Sequence, residues 1–209
     1  MCNLYRMTKG TAEVANLFNV EGDLTANYGA EVYPGYPGLV IAEGRARPMT
    51  WGFPLVLKGK QGQPLKPKPV TNAREDKLDT AFWRDSFARR RCLIPVSQWA
   101  EPRGGAGRMA RSWYGLPDQE LFAVAGLWRM SAEWGAVYTM VMTESSDYMS
   151  DVHDRMPVIL TPDQWPQWTE GGFEQALALC LTWPDPLTAD HTNGRWVDGV
   201  PMPEQPGLL

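Results

Sequence analysis

Five short runs of β-branched and aromatic residues restrict the fold of this chain more than any other feature. The runs are LVIA (39–42), MTWGF (49–53), RCLIPV (91–96), LFAVAGLW (121–128) and VYTMVMT (137–143). Most of them are flanked by Gly, Pro or Asp, the residues that commonly end strands and form turns. We therefore predict five β-strands.

Short helical segments lie between and after these strands at irregular intervals. Residues 11–20 place apolar side chains at helical spacing, with Thr11 as the N-cap, and residues 79–91 end in three arginines that suit a helix C-terminus. TPDQW (161–165) has a capping Thr followed by Pro at the first helical position, and a further helix follows at 173–180. Because strands and helices do not alternate strictly, the pattern predicts an α+β fold.

The length of the chain, 209 residues, predicts one compact domain, which we place at residues 2–182. From residue 183 onward Pro and Gly recur without periodicity. Residues 183–209 are therefore predicted to be a C-terminal extension that packs on the surface or is partly flexible. Residues 58–69 form a basic loop that is flexible by composition.

Cysteine use indicates the compartment. Cys2, Cys92 and Cys180 are widely spaced and form no C-x-x-C pair, so neither a disulfide framework nor a zinc cluster is indicated. We see no basic leader with an apolar core and no apolar run long enough to cross a bilayer. We expect a cytoplasmic monomer that uses no metal and no cofactor.

Basic residues are concentrated in the middle of the chain, although the formal net charge is −4. Residues 45–111 contain 15 Lys and Arg against 5 Asp and Glu, a local charge of +10, which leaves −14 for the rest. Since electrostatic interactions are local within a Debye length of about 10 Å, such a region can bind phosphates whatever the total charge. The alternative is a set of solvated loops rich in Lys and Arg.

The cysteine at position 2 has a chemical meaning because methionine aminopeptidase should remove Met1 in front of so small a residue. Cys2 would then carry a free α-amine with a pKa of about 8 beside a thiol with a pKa of about 8.5. The neutral amine can attack an aldehyde, and the thiol can close onto the imine carbon to give a five-membered thiazolidine. The alternative is that Cys2 is a small buried residue, as most cysteines are.

His153 and Glu101 are candidates for proton transfer. His153 lies in a loop between two aspartates, just before an apolar strand. The neighbouring carboxylates could keep the pKa of its ring close to neutral pH. Glu101 follows the RCLIPV strand and precedes a proline that fixes a turn. If it is enclosed beside Trp99, its pKa should be raised and it could act as a general acid or base. A structural histidine and a solvated glutamate are the alternatives.

Asn72 in TNAREDK (71–77) has two interpretations. Asn72 and Glu75 have the N-x-x-E spacing of a capping box, so Asn72 could begin a helical turn. Alternatively, its amide could form hydrogen bonds at a functional site.

Five segments in one order carry a resemblance: MCN at the start, TNARED, RRCLIPVSQWAEP, FAVAGLW and VHDRMPVIL. Together they resemble the SOS response-associated peptidase (SRAP) family of abasic-site processing proteins, over residues 2 to about 162. The resemblance implies a single domain with a barrel-like β core and short flanking helices. It also implies covalent capture of abasic sites in single-stranded DNA, which would place the protein at the nucleoid.

The resemblance assigns roles to the candidates. Cys2 becomes the nucleophile that forms a thiazolidine DNA–protein cross-link, Asn72 the group that orients its amine and the sugar, Glu101 the proton-transfer residue, and His153 the acid or base at the sugar. Removal of Met1 by the protein itself is implied as well.

The resemblance also implies the residues that contact DNA. Arg74 and Arg155 resemble phosphate-contacting arginines, whereas Trp51 and Pro34 match apolar positions that contact or wedge the bases. Core packing is the alternative for Trp51, because Trp is usually largely buried. A second set from the basic region would add unspecific phosphate attraction: Arg45, Arg47, Lys58, Lys60 and Arg89 to Arg91.

One departure from the family pattern concerns the start of the chain. Many members begin Cys-Gly-Arg, whereas Asn3 and Leu4 follow Cys2 here, so Arg6 is the candidate substitute for the missing arginine. Two other functions stay open at this point. The same Cys, Glu and His could form a cysteine peptidase acting on peptides, or the chain could be a non-enzymatic single-stranded DNA-binding module.

Overall fold

The fold consists of many short strands and a few short helices. This computed structural model describes residues 2–22, 28–105 and 108–196. The strands of the described residues are β1 (Tyr5–Arg6), β2 (Glu21–Gly22), β3 (Glu31–Val32), β4 (Pro37–Ala42), β5 (Arg45–Trp51), β6 (Phe53–Leu55), β7 (Lys68–Val70), β8 (Asn72–Arg74), β9 (Arg91–Val96), β10 (Gln98–Arg103), β11 (Ala110–Gly115), β12 (Phe122–Ser131), β13 (Gly135–Glu144), β14 (Arg155–Pro157), β15 (Ile159–Leu160) and β16 (Thr188–Arg195). The helices are α1 (Thr11–Phe18), α2 (Arg84–Arg89), α3 (Trp165–Glu170) and α4 (Phe173–Leu177), with 3-10 turns at Glu75–Lys77 and Pro162–Gln164. None of these helices has the length and apolar character needed to cross a membrane.

Five strands close into a barrel. They run in the order β13, β12, β9, β4, β5, and β5 pairs back to β13. The closing contact is parallel and pairs Thr50 with Val137 and Trp51 with Tyr138, whereas the other four contacts are antiparallel. These are the five strands predicted from the apolar runs, so the α+β class and the barrel-like core are confirmed.

A second sheet, in the order β16, β11, β10, β1, β3, carries the start of the chain. It brings β1 beside β10, with Tyr5 opposite Trp99. The prediction that Glu101 and Pro102 lie in a turn was wrong, because both are inside β10, where Glu101 pairs with Ser112. The division of the chain at residue 183 stays a prediction. Beyond it, β16 pairs with β11, and residues 197–209 lie outside the described residues.

The helices cover the outside of the barrel. Arg91, which is buried, donates hydrogen bonds to the carbonyl oxygens of Phe87, at the end of α2, and of Trp168 in α3. A cation in this position satisfies carbonyls that have no partner at a helix C-terminus. The predicted N-cap of α1 was one residue off, since Gly10 occupies that position and Thr11 is the first helical residue.

Two further segments differ from the sequence-based expectation. The predicted strand 49–53 is interrupted at Gly52, which has a φ of 119° and separates β5 from β6. The basic loop 58–69 is the outer part of a hairpin, because β6 pairs with β7 and Leu65 N–H donates to Leu57 O at 2.8 Å.

Candidate functional site

Cys2 is fully buried where the chain enters the second sheet. Its Sγ lies 3.4 Å from the Leu4 carbonyl oxygen, and Ala100 N–H donates to the same oxygen at 2.9 Å. Burial raises the pKa of the Cys2 thiol, and the negative charge of Glu101 raises it further. The thiol therefore stays protonated at neutral pH.

Asn72 holds the backbone of Cys2. Its Nδ2 donates to the Cys2 carbonyl oxygen at 2.8 Å and lies 2.8 Å from Thr71 Oγ1, which in turn donates to Asn3 Oδ1 at 3.1 Å. Asn72 belongs to β8, and the N-cap of the following 3-10 turn is Arg74. The capping-box interpretation of Asn72 was therefore wrong, and the structure brings Asn72 and Cys2 together.

Glu101 is a carboxyl group enclosed by the protein. Its exposed fraction is 0%, and burial raises its pKa to about 7. Of the two alternatives for Glu101, the enclosed carboxyl and not the solvated one agrees with this burial. A carboxyl with this pKa is populated in both protonation states near pH 7, which is the requirement for a group that gives and takes protons.

His153 lies next to Glu101, with Nε2 at 3.9 Å from Glu101 Oε2. The backbone N–H of Arg155 points at His153 Nδ1 from 2.9 Å. The same Nδ1 lies 3.1 Å from the Arg155 carbonyl oxygen, and Nε2 is the ring nitrogen that faces Glu101. Burial lowers the pKa of His153, so the ring is neutral at pH 7.

Strand β13 explains why these residues meet. It pairs on one side with β8, placing Met140 opposite Asn72, and with β14, placing Glu144 opposite Arg155. The site therefore draws on both sheets: Asn72 and His153 come from segments beside the barrel, whereas Cys2 and Glu101 belong to the second sheet or its entry.

The raised pKa of Glu101 predicts a stability effect. In the unfolded chain this carboxyl ionises near its ordinary pKa of 4.5, whereas in the fold it holds its proton to about 7. Between these values the folded state binds more protons than the unfolded state, so stability falls as the pH rises. Glu101→Gln should therefore stabilise the fold at pH 8, by on the order of 3 kcal/mol, and have little effect at pH 4.

Urea unfolding of both proteins across this pH range checks the effect. An unchanged difference in the free energy of unfolding between pH 4 and pH 8 would contradict the enclosed, raised-pKa state of Glu101.

A pair of tyrosines supports the site from the barrel. Tyr5 and Tyr138 are fully buried, and their hydroxyl oxygens are 2.5 Å apart. Burial raises the pKa of both phenols, so both are neutral, and one donates to the other. This hydrogen bond fixes β1, and with it the segment that follows Cys2, against β13.

Gly38 leaves the space that this pair occupies. A Cβ at Gly38 would lie 2.1 Å from the Tyr138 hydroxyl oxygen and 2.2 Å from that of Tyr5. We predict that Gly38→Ala lowers the free energy of unfolding by about 1–3 kcal/mol or more, the usual cost of overpacking a core. Gly105→Ala is the matched control, because a Cβ there meets no atom of the described residues within 4 Å. Equal stability of the two variants, measured by urea unfolding, would contradict this account.

The two predicted phosphate-contacting arginines have carboxylate partners. Arg155 Nη1 lies 3.2 Å from Glu75 Oε1, and both side chains are largely covered. Arg74 is 44% exposed and forms an ion pair with Asp76 at 2.9 Å. Each follows a candidate site residue by two positions, Arg74 after Asn72 and Arg155 after His153. Arg74 is the more accessible of the two.

Trp51 and Pro34 lie on the same side of the barrel as the site but differ in exposure. Trp51 is fully buried, packs against Tyr5 and Tyr138, and donates from Nε1 to Thr71 O at 3.2 Å. No part of the Trp51 side chain is therefore accessible for the predicted contact with a DNA base. Trp51 is a core residue. Pro34 is partly exposed, in a turn that Gly35 closes with a φ of 82°.

Arg45 and Arg47 lie away from the site. Strand β5 begins at Arg45 and ends at Trp51, and at about 3.3 Å per residue the two ends are roughly 20 Å apart. Arg45 pairs with Glu21 at 3.5 Å and Arg47 with Glu43 at 3.1 Å. The basic region is therefore distributed over both ends of the barrel.

Arg6, the candidate substitute for the missing family arginine, is held elsewhere. Its guanidinium lies 3.1 Å from Glu31 Oε1 and 3.6 Å from the centre of the Trp113 ring. Arg111 binds the same glutamate. Arg6 therefore stabilises the outer surface of the second sheet through these two contacts.

Sequence reasoning missed His191. It pairs with Ser112 across β16 and β11, with Nδ1 at 2.9 Å from the Ser112 hydroxyl, and Ser112 pairs in turn with Glu101. Directly opposed residues share one face of a sheet, so these three side chains form a row. His191 is exposed, whereas Ser112 and Glu101 are fully buried. No sequence signal identifies β16, which is why the row could not be predicted.

The assembled groups favour acid–base and nucleophilic chemistry. A cysteine with a neutral thiol, an amide that fixes its backbone, a carboxyl with a pKa near 7 and a neutral imidazole are brought together. Among the described residues, no group of three or more His, Cys, Asp or Glu side chains is placed to hold a metal ion.

Comparison with known proteins gives related sequences and related structures. Abasic site processing protein YobE of Bacillus subtilis is 26% identical over 219 residues, which covers 96% of this chain and 95% of YobE. Abasic site processing protein YoqW of the same organism is 26% identical over 182 residues, 80% of each chain.

Two crystal structures have the same fold. A protein from Bordetella bronchiseptica matches with a TM-score of 0.76 and 24% identity over 91% of this chain and 99% of that one. A protein from Bacteroides thetaiotaomicron matches with a TM-score of 0.75 and 16% identity over 91% of each chain. A family model matches residues 1–192, and the chain therefore belongs to the SOS response associated peptidase (SRAP) family.

Proposed function

We propose that this protein processes abasic sites in single-stranded DNA by forming a thiazolidine between Cys2, freed of Met1, and the aldehyde of the ring-opened deoxyribose. One observation carries the proposal: Asn72 binds the Cys2 carbonyl, while the buried Glu101, with a pKa of about 7, acts electrostatically on the Cys2 thiol. The names of the relatives YobE and YoqW, abasic site processing proteins, support this class of lesion as the target.

The proposed reaction is a condensation that releases one water. The neutral Cys2 amine attacks the aldehyde carbon, and protonated Glu101 gives its proton to the hydroxyl that leaves as water. The Cys2 sulfur then adds to the carbon of the iminium ion, and the thiol proton passes to the Glu101 carboxylate. One C–N and one C–S bond are formed, and Glu101 is returned to its starting state.

His153 has a separate role in the proposal. Its neutral imidazole, with Nε2 facing Glu101, would exchange a proton with the sugar hydroxyl as the deoxyribose ring opens. Arg74 would contact a phosphate next to the lesion, because it is the more exposed of the two arginines beside the site.

Access to Cys2 depends on processing of the chain. The α-amine of Cys2 is in a peptide bond until Met1 is removed, and we propose that the protein removes Met1 itself. The mature Cys2 amine, not the thiol, makes the first attack. The raised pKa of the buried thiol agrees with this order, since a protonated thiol is a weak nucleophile.

A free α-amine at Cys2 is therefore required. We predict that one extra, non-removable residue ahead of Cys2 abolishes the adduct with abasic DNA, because a peptide nitrogen cannot form an imine, while salt-sensitive DNA binding is retained. Denaturing gels detect the adduct and filter binding detects the complex. An unchanged adduct yield would refute the proposal.

A cysteine peptidase is the second candidate, favoured by the presence of Cys2, Glu101 and His153 in one site. A peptidase nucleophile needs a thiolate with a lowered pKa, whereas burial and Glu101 raise the pKa of Cys2.

Incubation with abasic single-stranded DNA and with peptide libraries separates the two functions. A slowly migrating band on a denaturing gel supports DNA capture, and peptide turnover without that band supports the peptidase. Equal retention of intact and abasic strands, with no adduct, supports a binding module.

A further inference from the structure

The hairpin that contains β6 and β7 carries an apolar and basic surface that the proposed chemistry does not use. It begins at Phe53, ends at Val70, and turns at residues 59–62, where Gly62 N–H donates to Gly59 O at 2.9 Å. We call residues 53–70 the basic hairpin. Phe53, at its base, is fully buried, whereas residues 55–58 are exposed.

Apolar side chains are clustered on this hairpin. Of the large apolar side chains that are exposed in the described parts of the chain, four of eight belong to it: Leu55, Val56, Leu57 and Leu65, with exposed fractions of 36–43%. Leu57 and Leu65 are joined by a backbone hydrogen bond between the two sides of the hairpin, beyond the ends of β6 and β7. Clustered exposed apolar residues rimmed by polar groups mark binding surfaces more often than scattered ones do.

The charge of the hairpin has one sign. It contains Lys58, Lys60, Lys66 and Lys68, and residues 53–74 contain no Asp or Glu. None of these four lysines has a carboxylate within ion-pair distance among residues 2–22, 28–105 and 108–196. This distinguishes them from Arg45, Arg47, Arg74 and Arg155, which all have acidic partners. The surface is therefore complementary to a polyanion.

The hairpin leads directly into the candidate site. Strand β7 ends at Val70, and Asn72, which binds the Cys2 carbonyl, follows two residues later. Its turn lies about ten residues from Val70, a reach of roughly 30 Å. A DNA strand that leaves the site on this side would therefore meet lysines at successive positions, with apolar side chains between them.

We propose that the basic hairpin is a docking surface for the single-stranded DNA that flanks the lesion. Its lysines bind phosphates, and its exposed leucines and valine contact the faces of unstacked bases. The proposal rests on the proposed function, since DNA is the occupant that the adjoining site would deliver to this surface. An anionic membrane is the competing occupant, because amphipathic basic segments bind such surfaces as well.

The test compares the wild type with a variant in which Lys58, Lys60, Lys66 and Lys68 are all replaced by Gln. With an intact strand longer than the roughly 16 nucleotides of a typical single-strand site, we expect about tenfold weaker binding. The slope of log Kd against log salt concentration should fall by about 3, at about 0.7 per phosphate contact on single strands. Cross-linking of an abasic trinucleotide at saturating concentration should be unchanged, because the hairpin is proposed to bind the flanking strand and not to take part in the chemistry.

A second variant tests the apolar contacts. Leu55→Ser with Leu57→Ser should weaken binding of the long strand without changing the salt slope. Its matched control is Met130→Ser with Leu181→Ser, which alters side chains that are 67% and 66% exposed elsewhere on the surface. Thermal unfolding verifies that all variants remain folded.

The outcomes separate the two proposals. If the Gln variant binds the long strand with the wild-type affinity and slope, the hairpin is not a DNA surface. Loss of binding to phosphatidylserine vesicles, with DNA binding intact, would assign the hairpin to membranes and overturn the proposal. If the wild type forms no adduct with the trinucleotide but the Gln variant loses affinity for the long strand, the hairpin stands and the thiazolidine chemistry fails.

Discussion

Cys2→Ala is expected to abolish the covalent adduct with abasic DNA completely. The substitution removes the sulfur that closes the thiazolidine, and any imine formed by the remaining amine is reversed by water. Noncovalent DNA binding should persist, because Cys2 is buried and carries no charge that attracts phosphate. Denaturing gels with a labelled abasic strand measure the adduct.

Two companion variants sharpen this prediction. Cys180→Ala removes a thiol that is buried beyond α4, outside the site, and should form the adduct at the wild-type rate. Cys2→Ser keeps the amine but replaces sulfur by a poorer nucleophile, so its adduct should be recovered only after borohydride reduction of the imine. A stable, unreduced adduct in Cys2→Ala would show that another residue is the nucleophile.

Glu101→Gln is expected to slow adduct formation by about 10²–10⁴-fold, the usual contribution of a general acid or base. The amide keeps the shape of the side chain but cannot give a proton to the leaving hydroxyl. In the wild type the rate should rise as the Cys2 amine loses its proton near pH 8 and fall as Glu101 ionises above about 7, which gives a bell-shaped profile. The variant should lose the falling limb.

Glu31→Gln is the matched control for this substitution. Glu31 is partly buried and pairs with Arg6 and Arg111 on the outer surface of the second sheet. Its replacement removes two ion pairs but should leave the rate and its pH profile unchanged. A Glu101→Gln variant with the wild-type profile would exclude Glu101 from proton transfer.

The barrel was predictable because its strands are apolar along nearly their whole length. All six residues of β9 are buried, as are five of the six residues of β4, so the pattern stands out in the sequence. The second sheet has no such signal: β16 is exposed at seven of its eight positions and exists by pairing with β11, about 80 residues earlier in the chain. Pairing between strands so far apart in the chain depends on the tertiary fold, and local sequence patterns do not encode it.

The site was predictable in its residues and not in its geometry. Their local chemistry singled out Cys2, Asn72, Glu101 and His153, and the resemblance assigned their roles. The hydrogen bond between Asn72 and Cys2, however, spans 70 residues. Glu101 was expected in a turn because Pro102 follows it, yet Pro is tolerated in a sheet where its missing N–H is not needed. For Trp51 the role implied by the resemblance disagrees with the structure. The core-packing alternative, and not the base contact, agrees with its full burial.

The intact mass of the purified protein, before and after incubation with abasic single-stranded DNA, tests the central claim most directly. We predict a starting mass lower than that of the full sequence by one methionine residue, and a product heavier by one DNA strand less one water. A protein that keeps Met1 and still forms the adduct, or a product that retains the water, would contradict attack by the Cys2 amine and closure by its thiol.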